Sequence, residues 1–277
     1  MTLYPGIDPK CFIAAYPTRP VAPAMRTVFV MGKLYHVPMR LITLSALLFL
    51  AAIPLAFAGP FDDGVAAYKA GDYDKAFKIL KPLAELDNSQ SADAQERIAH
   101  LYERGNGVAK DPVAAAKWFQ KAADQGNVTA QAHLGRLFRS GVGVAKDPKQ
   151  AARWSIKAAS QGNPIAESTL GYMALEGSAG PASPAAAAGW FKKSADQGDT
   201  SAMIGLGGLY EQGSGVPKDV VQAYKWYALA SVDTGEYDAD LPVRAKKAKE
   251  ALGAKMAPAQ VAQAGKLVED FVPAGKR

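Results

Sequence analysis

Residues 107–127 read GVAKDPVAAAKWFQKAADQGN, and residues 143–163 read GVAKDPKQAARWSIKAASQGN. The two stretches begin 36 residues apart and agree at most of their positions. The same spacing separates the four tryptophans of the chain, which are Trp118, Trp154, Trp190 and Trp226. A fixed period of this length is typical of a solenoid, in which each repeat packs mainly on its neighbours. We therefore predict a repeat protein.

Each unit of the repeat predicts two helices. In the second unit, Ala130, Leu134 and Leu137 follow the apolar spacing of an amphipathic helix. That helix is expected to stop at Gly141, because a glycine after the last turn readily adopts the left-handed conformation. The pair Asp147-Pro148 then supplies an N-cap and a first residue for a second helix. The predicted fold class is all-α.

The tryptophans lie on the second helices, next to other apolar residues. Gly135, Gly171 and Gly207 lie inside the first helices, where a glycine costs about 1 kcal/mol relative to alanine. We interpret these glycines as sites of close helix approach, with a tryptophan filling the remaining space. The residues predicted to form the structural core of the repeats are Trp118, Trp154, Trp190 and Trp226.

The units share the pattern A-x₃-LG-x₂-[YF]-x₂-G-x-GV-x-KD-x₄-A-x₂-W-x₂-KAA-x₂-GN, which resembles the Sel-1-like repeat, a relative of the tetratricopeptide repeat. The resemblance implies a right-handed α/α superhelical solenoid whose first helices line its concave side. We assign residues 59–93 to a degenerate opening repeat and residues 94–240 to four repeats of period 36. Residues 241–277 are assigned to C-terminal capping helices and a basic tail.

The segment that precedes the repeats has the pattern of an export signal. Arg40 is followed by an apolar run that ends in Ala56-Phe57-Ala58, the small-x-small pattern of a secretory cleavage site. We predict that residues 39–58 are a signal peptide cleaved after Ala58, and that the protein is periplasmic or secreted. The alternative is a membrane anchor at 41–57, since that run is near the lower limit of a membrane span. Residues 1–38 are expected to be unstructured or to precede the true start.

The distribution of charge argues against nucleic-acid binding. The chain carries a formal charge of +6, but the bases are concentrated toward its two ends, and residues 59–240 hold slightly more acids than bases. Binding to a phosphate backbone requires basic residues gathered on one face. The tail RAKKAKEALGAK at 244–255 is interpreted as a solvated helix face, with contact to an acidic membrane surface as the alternative.

The concave side of the solenoid is the predicted binding surface. Its candidate residues are the first-helix positions that lie off the apolar stripe. They are Arg97, His100 and Arg104 in the first unit, His133, Arg136 and Ser140 in the second, Thr169, Tyr172 and Glu176 in the third, and Gly205, Gly208 and Gln212 in the fourth. This groove is expected to be basic at its amino-terminal end and bare or mildly acidic at the other. The pattern favours an acidic stretch of a protein or peptide near Arg97 and Arg136, although ordinary solvated side chains are the alternative.

The sequence predicts no catalytic residue, cofactor or metal. Beyond Ala58 it has no cysteine, no HExxH motif and no glycine-rich phosphate-binding loop. His100 and His133 lack a recognisable carboxylate pattern and make a poor metal site. Cysteine-rich relatives of the resembled family are described as binding or hydrolysing β-lactams, so that activity is the alternative, although no serine here has the S-x-x-K setting. The predicted function is an exported scaffold that binds a protein or peptide of unknown identity.

Overall fold

The computed structural model describes residues 59–86, 91–178, 180–232 and 240–273. Throughout these ranges the regular secondary structure is helical, as predicted. The helices are α1 (Pro60–Lys69), α2 (Tyr73–Ala84), α3 (Ser91–Arg104), α4 (Pro112–Asp124), α5 (Val128–Ser140), α6 (Pro148–Ala159), α7 (Pro164–Glu176), α8 (Pro184–Asp196), α9 (Thr200–Gln212), α10 (Val220–Ala230), α11 (Asp240–Gly253) and α12 (Pro258–Glu269). The predicted signal peptide at 39–58 and the segment 1–38 lie outside the described residues.

The described helices are short. None of them combines the length and the apolar character that a membrane span requires.

Helix boundaries within the repeats follow the local signals in the sequence. Asp147 caps α6, because its side chain accepts hydrogen bonds from the backbone N–H groups of Lys149 (2.9 Å) and Gln150 (3.1 Å). Such a cap stabilises a helix by about 1 kcal/mol. The first helix of the same repeat, α5, ends at Gly141, whose φ of 75° is left-handed. These two signals fix where each hairpin turns.

The hairpins stack in chain order and form an all-α solenoid. The two helices of each repeat pack on each other, as α3 does on α4 and α5 on α6. Each second helix also packs on the first helix of the next repeat. In addition, first helices of neighbouring repeats contact one another directly, α5 with α7 and α7 with α9. The first helices therefore lie side by side on one face of the stack.

The glycines inside the first helices allow close approach, but a tryptophan is not what fills the space. A Cβ atom on Gly171 would lie 2.6 Å from the ring of Phe191, and one on Gly207 would lie 2.7 Å from the ring of Tyr227. Both rings belong to the residue that directly follows a tryptophan. Because successive helical residues project about 100° apart, only one of the two can face the glycine. The prediction that the tryptophan does so is wrong.

The four tryptophans are not equally buried. Trp118, Trp154 and Trp226 are 9%, 5% and 1% exposed, whereas Trp190 is only partly buried. The assignment of Trp190 to the core therefore differs from the structure.

The contacts of the tryptophans agree with this difference in burial. Lys81, which lies on α2, is over the ring of Trp118. Phe271, which follows α12, meets the ring of Trp226 edge-on. Trp190 instead lies beside Lys193 of its own helix, and the preceding Gly189 faces open space. In this repeat Phe191 takes the deep position.

Candidate functional site

A cleft of about 730 Å³ lies on the face formed by the first helices. Residues of α3, α5 and α7, the turn before α9, the start of α9 and the start of α11 line it. The predicted groove residues among them are His100, Arg104, His133, Arg136, Ser140, Thr169, Tyr172 and Glu176. Arg97 is not among the residues that line the cleft, and its guanidinium lies 5.4 Å from the ring centre of Tyr68.

Two arginines that line the cleft were not predicted. Arg139 forms a salt bridge of 2.5 Å with Glu176, and its guanidinium lies 4.9 Å from the ring centre of Tyr172. Arg139 follows Arg136 by three residues, so its place on the same helix face could have been predicted. Arg244 is exposed and reaches the cleft from α11. Nothing in the period of the repeats indicates that α11 lies here.

The far end of the cleft differs from the prediction. It was expected to be bare or mildly acidic, but α11 brings Leu241 and Arg244 to it. Gly205 serves packing instead, because a Cβ atom there would lie 2.8 Å from the ring of Phe191. The cleft therefore has arginines along its whole length.

Polar side chains of α7 form hydrogen bonds that stabilise the wall of the cleft. The hydroxyl of Tyr172 donates to the backbone carbonyl of Ser201 (3.0 Å), and the Ser201 hydroxyl donates to the Tyr172 oxygen (3.2 Å). The Thr169 hydroxyl donates to the carbonyl of Ile165 (2.8 Å). Burial raises the pKa of Tyr172, so its hydroxyl keeps its proton. Thr169 and Tyr172 thus shape the wall.

Two histidines lie at the α3–α5 end of the cleft. The rings of His100 and His133 are nearly perpendicular, with their centres 4.6 Å apart. Phe119 stacks on His133 at 4.9 Å and meets His100 edge-on at 5.0 Å. The cluster therefore joins three successive helices, α3, α4 and α5.

Carboxylates lie beside these histidines, contrary to the sequence-based expectation. Nε2 of His100 is 2.9 Å from Glu96, and Nδ1 is 3.3 Å from Glu103. Glu103 also pairs with Arg136 of the next repeat. Glu96 precedes His100 by four residues and Glu103 follows it by three, so helical spacing alone could have indicated both contacts.

The two histidines differ in protonation. Burial opposes the charged form of His100, but the hydrogen bonds with Glu103 and Glu96 and the negative charges of these two residues together outweigh burial and raise the pKa of His100 above its usual value. Burial, followed by the charges of His100, Arg136 and Arg104, holds the pKa of His133 well below its usual value. His133 is therefore neutral at physiological pH, and a neutral imidazole has one nitrogen that accepts or ligates.

The charges of the cleft lining are predominantly positive. The lining residues include four arginines, and its two carboxylates are Glu176 and Asp199. The arginines are Arg104, Arg136, Arg139 and Arg244. An arginine guanidinium presents its donors in a fixed planar fork that matches a carboxylate. The arrangement is thus suited to recognition of acidic groups.

Solved structures of other proteins resemble this solenoid. The crystal structure of c5321, a protective antigen present in uropathogenic Escherichia coli strains that displays an SLR fold, is 31% identical with a TM-score of 0.60. The match covers 75% of this chain and 45% of that one, so this chain spans less than half of the c5321 chain. A Sel1 repeat protein from Oxalobacter formigenes is 27% identical with a TM-score of 0.52, over 76% of this chain and 98% of that one.

No curated protein matches the chain. The Sel1 repeat profile, in contrast, matches residues 61–88, 92–127, 128–163, 164–199 and 200–231. Together these matches cover more than half of the sequence, and they correspond to the helix pairs from α1–α2 to α9–α10. The chain therefore belongs to the Sel1 repeat family.

Proposed function

We propose that the protein is an interaction scaffold whose cleft binds an acidic segment of a partner protein. Repeats of this family generally mediate protein–protein interaction. The observation that carries the proposal is the set of four arginines along a cleft that has only two carboxylates among its lining residues. Positive charge in a cleft attracts an acidic partner and orients it before contact.

The size of the cleft favours a short segment. A volume of about 730 Å³ lies within the range of pockets that enclose small ligands. It accommodates a few side chains of an extended chain rather than a folded domain. The proposed mode of binding is therefore an anchor, in which acidic side chains of the partner enter the cleft and the flanking residues contact the first helices.

Arg139 and Arg244 are the arginines best placed for this role. Arg244 is exposed at one end of the cleft. Arg139 is held between Glu176 and the ring of Tyr172, which fixes the plane of its guanidinium. A side chain that is already oriented loses less entropy when it binds a carboxylate.

Reversing the charge of both arginines is expected to weaken binding about tenfold. Exposed charge pairs contribute up to about 1 kcal/mol each, and about 1.4 kcal/mol corresponds to tenfold in affinity. The probe is a short fluorescein-labelled peptide rich in glutamate. Its binding to the wild-type protein and to the Arg139→Glu, Arg244→Glu double variant is measured by fluorescence anisotropy at low ionic strength.

The matched control changes the same total charge away from the cleft. Arg153 and Lys157 are both exposed on α6 and do not line the cleft. The Arg153→Glu, Lys157→Glu variant is expected to bind the glutamate-rich probe nearly as well as the wild type. A version of the peptide with glutamine in place of glutamate is expected to bind poorly. Equal losses in the two double variants would show that overall charge, not the cleft, determines binding.

The proposal includes export, which rests on the signal-peptide pattern at 39–58. These residues lie outside the described part of the chain. We expect the protein isolated from its own cells to begin at Gly59, as determined by mass spectrometry of its N-terminal peptide. A protein that retains residues 41–57 would instead favour the membrane anchor.

A further inference from the structure

We propose that His100, Glu103 and His133 form a binding site for a divalent transition metal of the zinc class. Among the residues that the structure describes, they are the one group of three potential ligands whose ligand atoms all lie within 4.8 Å of one another. Two imidazoles and one carboxylate are a ligand set that zinc accepts when a fourth position is left open. The inference does not depend on the proposed peptide binding.

The spacing of the ligand atoms is close to what zinc requires. Zinc binds imidazole nitrogen and carboxylate oxygen at about 2.0–2.2 Å, so two ligands of a tetrahedral site lie roughly 3.3 Å apart. Nδ1 of His100 and Oε2 of Glu103 are separated by 3.3 Å. The largest separation in the group, up to 4.8 Å, requires a side-chain adjustment of about 1–1.5 Å.

Neighbouring side chains hold these ligands in place. Nε2 of His100 is 2.9 Å from Glu96, and a carboxylate on the second ring nitrogen is the usual way in which a metal-binding histidine is oriented. The Oε1 atom of Glu103 is bound to Arg136, so the second carboxylate oxygen, Oε2, faces His100. Phe119 stacks on the ring of His133 and fixes its plane.

The local charges permit a divalent cation. Arg104 and Arg136 bring positive charge to this end of the cleft. Glu96 and Glu103 offset the two charges of the ion, and Arg136 is already bound to Glu103. His100 and His133 both line the cleft, so an open coordination position would be accessible from it.

Cobalt(II) is a spectroscopic probe for this site, because its visible absorption reports on its coordination. We expect the metal-free, full-length protein to bind one cobalt ion per chain, with zinc displacing it. Glu103→Gln and His133→Gln each remove a ligand and are expected to weaken cobalt binding by more than about 100-fold, while Glu96→Gln, which removes only an orienting partner, weakens it by about 10–100-fold.

Glu176→Gln is the matched control, because Glu176 lines the same cleft and pairs with Arg139 without being a proposed ligand. It is expected to bind cobalt as the wild type does. Absence of one-to-one cobalt binding in the wild-type protein would overturn the proposal, as would undiminished binding in Glu103→Gln. Should His133→Gln fail to fold, anomalous diffraction at the zinc edge decides the matter: a peak between His100 and His133 supports the site, and a peak elsewhere or no peak refutes it.

Discussion

Replacing Phe191 by alanine is expected to lower the free energy of unfolding by about 3–5 kcal/mol, the range for a large aromatic side chain lost from a core. The ring is fully buried. It lies 2.6 Å from the position of a Cβ atom on Gly171 of α7 and 2.8 Å from that on Gly205 of α9. One side chain therefore joins the first helix of its own repeat to that of the next, and its removal weakens both contacts.

Trp190→Ala provides the comparison for Phe191→Ala. Trp190 is the adjacent and larger residue, but it is only partly buried. Because the stabilisation by an apolar side chain follows the area removed from water, its loss is expected to cost about half as much or less. Urea denaturation followed by circular dichroism measures both changes. A cost for Trp190→Ala that equals or exceeds that for Phe191→Ala would contradict this account of the core.

Gly143→Ala is expected to destabilise the protein by about 2–5 kcal/mol. Gly143 has a φ of 72°, a left-handed conformation that costs a residue with a Cβ atom about 1–2 kcal/mol. Its Cβ atom would also lie 2.0 Å from the backbone oxygen of Pro112, which begins α4 of the preceding repeat. A backbone oxygen cannot rotate away, so overpacking adds about 1–3 kcal/mol.

Comparison with Gly162→Ala separates the conformational cost of a left-handed alanine from the cost of the contact with Pro112. Gly162 has a similar φ of 77°, but a Cβ atom there meets no atom within 4 Å. Only the conformational cost of about 1–2 kcal/mol is therefore expected. Thermal denaturation of the two variants gives the difference, which is the contribution of the contact between repeats. Equal destabilisation would mean that the loop at Gly143 does not contact the start of α4 in the preceding repeat as the structure places it.

Local signals in the sequence were sufficient to predict the helix hairpins. Asp147 and Pro148 start a helix, and Gly141 ends one, because the capping interactions involve residues only a few positions apart. Which of two neighbouring side chains faces the core depends instead on contacts between helices. The sequence could not distinguish Trp190 from Phe191 as the deep residue, since both are large and apolar and lie next to each other.

The candidate site was predicted in part. Helical spacing placed eight of the twelve residues proposed for the groove along the cleft, and the four that do not line it are Arg97, Gly205, Gly208 and Gln212. Arg244 was missed because α11 lies outside the repeat pattern and reaches the cleft by long-range packing. The carboxylates beside His100 are a different case, because Glu96 and Glu103 lie at helical spacing from it along α3 and the sequence therefore contained the signal for both contacts.

We propose that the cleft on the first helices is the binding surface of this protein. The most direct test is photo-cross-linking, with the glutamate-rich probe carrying a photoreactive group and the modified residues identified by mass spectrometry. The account predicts adducts on residues of α5, α7 and the start of α11. Adducts concentrated on the second helices α4, α6 and α8, or no saturable cross-linking, would contradict it.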